Sequence, residues 1–198
     1  ASFPDSGDEE KGLLLGAVDY IARPFNGAVL RARIRNRLAL RIRAAEDGGY
    51  NDPVTGIPGR KSFDERITLE WKRSFREKTP VSLLLMAAGT GEAPEAAFFR
   101  TIAAILVRNT RRPSDLAACL GGDLFAVLLP NTSMNGAVKI AEEIYSQAEA
   151  VLGGNRHAVV SIGVVSQIPQ ADMTLEDFFA RAEKALSQAK SSGLICQE

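Results

Sequence analysis

Apolar residues recur along this chain with two spacings, which predict alternating helices and strands. A spacing of about four residues, as in Phe63, Ile67, Trp71 and Phe75, is typical of a helix with one buried face. The nearly continuous apolar run over residues 81–88 is typical of a strand covered on both faces. We predict helices over 59–77, 94–110, 133–152 and 174–193, and strands over 81–88, 115–120, 124–130 and 157–166.

The two middle strands are joined by Gly121-Gly122-Asp123, which predicts a β-hairpin because tight turns favour glycine. Helices alternate with strands around this hairpin. The pattern favours an α+β domain, an α/β sandwich in which helices cover a sheet. Thr174 and Asp177 have the spacing of a capping box at the start of the last helix.

The N-terminal part of the chain has a different charge pattern. Residues 31–43 carry six arginines and no acid on a sequence with helical spacing. A loop rich in turn residues follows, so we place a domain boundary there, between residues 1–47 and 48–198. The arginines form either a solvated helix face or a surface that binds a partner protomer.

Composition narrows the class of protein. Net charge is zero, with 45% hydrophobic and 24% charged residues, which argues against a nucleic-acid partner. Two cysteines do not make a disulfide framework, and no apolar run reaches the length of a membrane span. We therefore expect a cytoplasmic protein without membrane insertion. The sequence begins abruptly, so we expect it to be a piece of a longer protein.

A metal site for phosphoryl transfer would need carboxylates near the end of a central strand and beside the hairpin. Here the strand ends in alanine and glycine, and the hairpin offers Asp123 followed by Leu124. A single aspartate in a turn is more often a turn residue than a ligand. We predict no metal, no cofactor and no catalytic residue, and structural roles for Cys119 and His157.

The segment RRPSD, before the hairpin, offers different chemistry. Pro113 and Ser114 make helix unlikely to continue, so Arg112 and Asp115 are predicted on a turn. Arginine presents paired donors and aspartate paired acceptors, which together could hold two edges of a guanine base. The alternative is a local ion pair between the two side chains, and spacing alone leaves both open.

Five sequence blocks resemble the GGDEF family of diguanylate cyclases. The resemblance spans residues 52–196 and implies a five-stranded sheet with surrounding helices, like a nucleotidyl-cyclase or polymerase palm. In chain order the blocks are DPVTGIPGRKSF, PVSLLLMAAG, GGDLFAVLLPNT, VVSIGVV and ARAEKALSQAKSSG.

The resemblance also implies a degenerate active site. The family's two strand-end aspartates align with Ala87 and Gly89, and its metal-binding glutamate aligns with Leu124. Asp123 and Lys190 keep family residues, but the arginine after that lysine is replaced by Leu194. The family's guanine-binding Asn and Asp fall in a segment after Gly89 that is short here. The resemblance therefore implies an inactive cyclase without bound Mg²⁺.

The family's inhibitory site is retained in part. Its Arg-x-x-Asp motif, which binds cyclic di-GMP, aligns with Arg112 and Asp115. A third arginine, supplied from a neighbouring domain, aligns with Arg73, while a fourth aligns with Glu143 and is reversed in charge. The resemblance implies an inactive cyclic di-GMP receptor. The alternatives are a protein-interaction or dimerisation module that binds no nucleotide, and a residual cyclase.

The segment GLLLGAVDYIARPF resembles the end of a response-regulator receiver domain, with Arg23 in place of the family's lysine and Pro24 after it. A receiver followed by a degenerate GGDEF domain is similar to PopA-type effectors. The combination implies two-component signalling, a homodimer in the full-length protein, and protein partners whose identity the sequence does not give.

Overall fold

The computed structural model describes residues 50–90, 96–152, 158–192 and 195–197, which belong to one compact unit, Ala45–Glu198. The predicted receiver fragment lies outside the described residues. The described elements, in chain order, are α1 (Arg60–Glu77), β1 (Val81–Thr90), α2 (Ala96–Asn109), β2 (Leu116–Gly121), β3 (Leu124–Pro130), α3 (Met134–Leu152), β4 (Ala158–Gln167), α4 (Leu175–Ser192) and β5 (Ile195–Gln197).

The strands form one sheet in the order β2-β3-β1-β4-β5. All neighbouring strands are antiparallel except β4 and β5, which are parallel. The central strand β1 is apolar on both faces: Leu83 and Leu85 face α1 and α4, while Leu84 and Met86 face α2 and α3. Burial of each of these side chains stabilises the folded state by about 2 kcal/mol. The predicted α+β sandwich and its doubly covered strand are confirmed.

Most element boundaries agree with prediction to within one or two residues. The strand β1 continues to Thr90 because its pairing with β4 runs on to Ala158. The predicted helix over 94–110 is described from Ala96 to Asn109. Among the described elements, the pattern of apolar residues did not predict β5, which has only three residues.

The start of α4 has the capping box that its sequence predicts. The hydroxyl of Thr174 accepts the backbone N–H of Asp177 at 3.0 Å and donates to Asp177 Oδ2 at 2.7 Å. Further along, α4 crosses β4 at Gly163, where a Cβ would lie 2.3 Å from the backbone nitrogen of Leu186. Glycine is therefore required for the helix to pack this closely against the strand.

The loop over residues 50–59 covers the outer edge of β2. The carboxylate of Asp52 accepts the N–H of Thr55 at 2.8 Å, and the backbone N–H of Cys119 donates to the carbonyl of Pro58 at 2.8 Å. An exposed strand edge invites pairing with other chains, and this loop occupies part of it. No helix in the described ranges combines the length and apolarity needed to cross a membrane.

Candidate functional site

The hairpin between β2 and β3 is the turn predicted from Gly121-Gly122-Asp123. Gly121 and Gly122 have φ angles of +113° and +61°, a backbone region that favours glycine. The carbonyl of Asp123 accepts the N–H of Ala88 at 3.0 Å, which ties the hairpin to β1. The tip of the hairpin is therefore held beside the end of the central strand.

The side chains at this junction are apolar. Ala87 lies opposite Leu124 in the sheet register, and both pack against the cluster that includes Phe63 and Leu120. Gly89 has no atom within 4 Å of the place that a Cβ would occupy, and Asp123 is exposed. Within the described ranges, no three His, Cys, Asp or Glu residues are grouped so that they could hold a metal ion. Mg²⁺ prefers several oxygen ligands, which these side chains do not fit.

Lys190, the other position at which the resemblance implies a retained family residue, lies in the last turn of α4 and is exposed. Cys119 is buried in β2, and burial raises the pKa of its thiol to about 11. The thiol is therefore protonated near neutral pH and inert, as its sequence context predicts. His157 lies outside the described residues.

The segment RPSD forms the predicted turn just before β2. The N–H of Asp115 donates to the carbonyl of Arg112 at 3.0 Å, and the N–H of Arg112 donates to Asp115 Oδ2 at 3.1 Å. The carboxylate is thus held by backbone. The ion pair between the two side chains, which spacing alone left open, is not among those of the described residues.

This bonding leaves one carboxylate oxygen of the turn without a partner. The other carboxylate oxygen of Asp115, Oδ1, is buried and has no hydrogen-bond partner, while Arg112 is exposed. An acceptor that is buried without a partner is uncommon, because it loses its hydrogen bonds to water. A ligand that donates to Oδ1 and accepts from the Arg112 guanidinium would satisfy both groups.

Arg66 on α1 supports the turn, and sequence reasoning missed it. Its Nη2 lies 3.5 Å from the carbonyl oxygens of Pro113 and Ser114. Its Nε lies 3.2 Å from Oε1 of the buried Glu70, close enough for an ion pair but not aligned as a hydrogen bond. A glutamate on the apolar face of the helix, four residues after an arginine, was the available signal.

The two further residues that the resemblance implies lie on α1 and α3, which cover opposite faces of the sheet. Arg73 Nε donates to Glu77 Oε1 at 2.9 Å, a bond that raises the pKa of Arg73, and Arg73 Nη1 lies 4.0 Å from Oε2 of Glu70. Glu143 Oε2 pairs with Arg111 Nη2 at 3.3 Å. The reversed charge at Glu143 is thus partly balanced by the arginine that precedes Arg112. The role of Arg73 in binding stays a prediction.

The chain belongs to the GGDEF family. The family model described as diguanylate cyclase, GGDEF domain, matches residues 50–194, which is well over half of the chain. The fold described above is that of solved GGDEF domains.

Particular relatives agree with this assignment. The response regulator PleD of Caulobacter vibrioides (strain NA1000 / CB15N) is 26% identical over 211 residues, which cover 96% of this chain and 46% of PleD. The crystal structure of diguanylate cyclase SiaD in complex with its activator SiaC, from Pseudomonas aeruginosa, has a TM-score of 0.67 at 24% identity, covering 98% of this chain and 79% of that one.

The GGDEF domain of DgcB from Caulobacter crescentus, in complex with c-di-GMP, has a TM-score of 0.63 at 19% identity, covering 75% of this chain and 92% of that one. At these identities both structures are evidence of the shared fold. The chain spans less than half the length of PleD, the response regulator it matches.

Proposed function

We propose that this chain carries a catalytically inactive GGDEF domain that binds cyclic di-GMP at the turn formed by Arg112 and Asp115. The observation that carries the proposal is the unpaired, buried Oδ1 of Asp115 beside an exposed arginine. The domain of DgcB, which shares the fold, was solved in complex with c-di-GMP, and this supports a ligand of the same kind.

The chemistry of guanine matches the turn. The O6 and N7 atoms of guanine accept hydrogen bonds and suit the paired donors of an arginine such as Arg112. The N1–H and N2–H groups of the base are donors, which Asp115 Oδ1 can accept. Arg66 and Arg111 also lie near the turn, but they pair with Glu70 and Glu143, so the charge that attracts a dianionic ligand comes mainly from Arg112. Binding is expected to weaken at high salt because this charge is exposed.

Loss of catalysis is supported by the side chains beside the hairpin. Cyclases that use metal ions need carboxylates to hold them against the phosphates. Ala87 and Leu124 are paired apolar residues here, and the exposed Asp123 belongs to no group of three potential metal ligands within the described ranges. A domain without this charge has no means of stabilising the transition state of phosphoryl transfer through a metal ion.

Calorimetry with two nucleotides tests the proposal. Cyclic di-GMP is expected to bind the unmodified protein. Cyclic di-AMP is expected to bind at least about tenfold more weakly, because adenine has neither the O6 acceptor nor the N1–H donor. Absence of heat with cyclic di-GMP, or equal affinity for both nucleotides, would contradict the proposal.

The second candidate is a module that recruits proteins without a nucleotide. Glu143 favours it, because its carboxylate lies next to the Arg112 turn, on Arg111, and would oppose bound phosphates. This function predicts that a variant carrying Arg112→Ala and Asp115→Ala recruits its partners as well as the unmodified protein does. Loss of recruitment in that variant would favour the nucleotide receptor.

A further inference from the structure

A groove of about 720 Å³ lies between α1 and the loop that precedes α4. Its apolar lining includes Leu69, Trp71 and Phe75 from the helix and Met173 from the loop, with Lys72 and Arg76 beside them. None of these residues belongs to the Arg112 turn. The groove is therefore a separate surface feature.

Two large apolar side chains of the groove are exposed to solvent. Leu69 is 58% exposed and Phe75 is 38% exposed, although both lie on a helix whose other face enters the core. A single exposed leucine carries no meaning, but apolar residues that line one groove mark an interaction surface. The ring centroids of Trp71 and Phe178 lie 5.0 Å apart with the rings tilted by 39°. This contact fixes one wall of the groove to the core.

The rim of the groove is positive. Lys72 and Arg76 line it, and the ammonium of Lys78 lies 4.6 Å from the centre of the Phe75 ring. None of these three cations forms an ion pair with a carboxylate in the described part of the chain. The flanking acids Glu65 and Asp172 do not line the groove. Because the whole chain has zero net charge, this positive excess is local.

We propose that this groove binds an acidic amphipathic helix of a partner protein. Apolar side chains of such a helix would fill the groove over Leu69 and Phe75, as in other helix-in-groove complexes. Its acidic residues would face Lys72 and Arg76, which gives the interface orientation and selectivity. A basic or neutral helix of the same shape would lack the attraction to Lys72 and Arg76.

The groove and the nucleotide site are on different flanks of α1. Successive residues turn by about 100° and rise by about 1.5 Å along a helix, so Lys72 lies about 120° around α1 from Arg66, which faces the turn. Arg76 lies about 80° around the helix from Arg66 and about 15 Å further along its axis. The acids Glu70 and Glu77 pair with arginines on the flank of Arg66. Peptide binding in the groove is therefore expected to persist in Arg112→Ala, so this proposal and the proposed function fail separately.

The tryptophan in the groove supplies the readout, because Trp71 is the only tryptophan in the chain. Two synthetic helical peptides of about 18 residues serve as probes, each with leucines on one face and either glutamates or lysines elsewhere. The acidic peptide is expected to change Trp71 emission saturably and to bind about tenfold more tightly than the basic peptide. No change in emission, or equal affinity for the two peptides, overturns the proposal.

Two variants sharpen the test, and both change exposed side chains so that folding is retained. Lys72→Glu combined with Arg76→Glu is expected to reverse the preference in favour of the basic peptide. Leu69→Ser is expected to weaken binding of the acidic peptide by about tenfold, with an unchanged circular dichroism spectrum. If Trp71 emission instead depends on protein concentration and Leu69→Ser removes a dimer in sedimentation, the groove binds a second copy and the proposal is wrong.

Discussion

Ala87 on β1 lies directly opposite Leu124 on β3, so their side chains share one face of the sheet at the base of the hairpin. These are the positions at which the family resemblance expects an aspartate and a glutamate. In this chain the pair packs against the core cluster of Phe63 and Leu120. Where the resemblance expects a pair of metal ligands, this chain has an apolar contact.

This pair predicts the outcome of a cyclase assay. With GTP and either Mg²⁺ or Mn²⁺, the protein is expected to form no cyclic di-GMP, because the described residues offer no cluster of carboxylates near Ala87 that would hold a metal ion. Chromatography of the reaction after prolonged incubation checks this. Product that scales with protein concentration would show that the inactive assignment is wrong.

Arg66 and Glu70 predict a stability effect next to the turn. Arg66→Ala is expected to lower the free energy of unfolding by about 1–3 kcal/mol, because it leaves the buried Glu70 carboxylate without its nearest cation. Urea denaturation measures the change. Arg66→Ala with Glu70→Gln is expected to recover part of the loss, since the second change removes the buried charge. Equal losses in the single and double variants would contradict this account.

Glu143 predicts a gain of binding. Glu143→Gln removes a negative charge beside the Arg112 turn while keeping the shape of the side chain, so cyclic di-GMP is expected to bind about three- to tenfold more tightly. The gain is expected to shrink at high salt, because exposed charges are screened. Calorimetry at two salt concentrations measures both effects, and an unchanged affinity would remove Glu143 from the site.

The close packing of α4 against β4 at Gly163 predicts a loss of stability when a side chain is added there. Gly163→Ala is expected to lower the free energy of unfolding by about 2 kcal/mol, because the added Cβ would meet the backbone of Leu186. Gly89→Ala on β1 is the matched control, since nothing lies within 4 Å of its Cβ position. A similar effect of both substitutions in thermal denaturation would contradict the close packing at Gly163.

The local features of the fold could be predicted from the sequence because they depend on neighbouring residues. The strand β3 has the predicted bounds, 124–130, since a glycine turn precedes it and Pro130 ends it. The strand β5 could not be predicted from periodicity, because three residues carry no pattern and depend on pairing with β4.

Part of the candidate site could also be predicted from the sequence, and part could not. The turn at Arg112 and Asp115 could be predicted from Pro113 and Ser114, which disfavour helix. The bond from Asp115 to the Arg112 backbone could not, because the spacing fits a side-chain ion pair equally well. The support from Arg66 could not either, because Arg66 is more than 40 residues away in sequence. The contact between Arg66 and the turn depends on the packing of α1 against β2, which a local sequence pattern does not predict.

The central claim is that the Arg112 turn binds cyclic di-GMP, and one calorimetric comparison tests it most directly. The unmodified protein, Arg112→Ala and the adjacent control Arg111→Ala are titrated with the nucleotide under the same conditions. We expect Arg112→Ala to weaken binding by at least about a hundredfold. Arg111→Ala, which removes a guanidinium that pairs with Glu143, is expected to change the affinity by at most about tenfold. Binding that Arg112→Ala leaves unchanged would contradict the account.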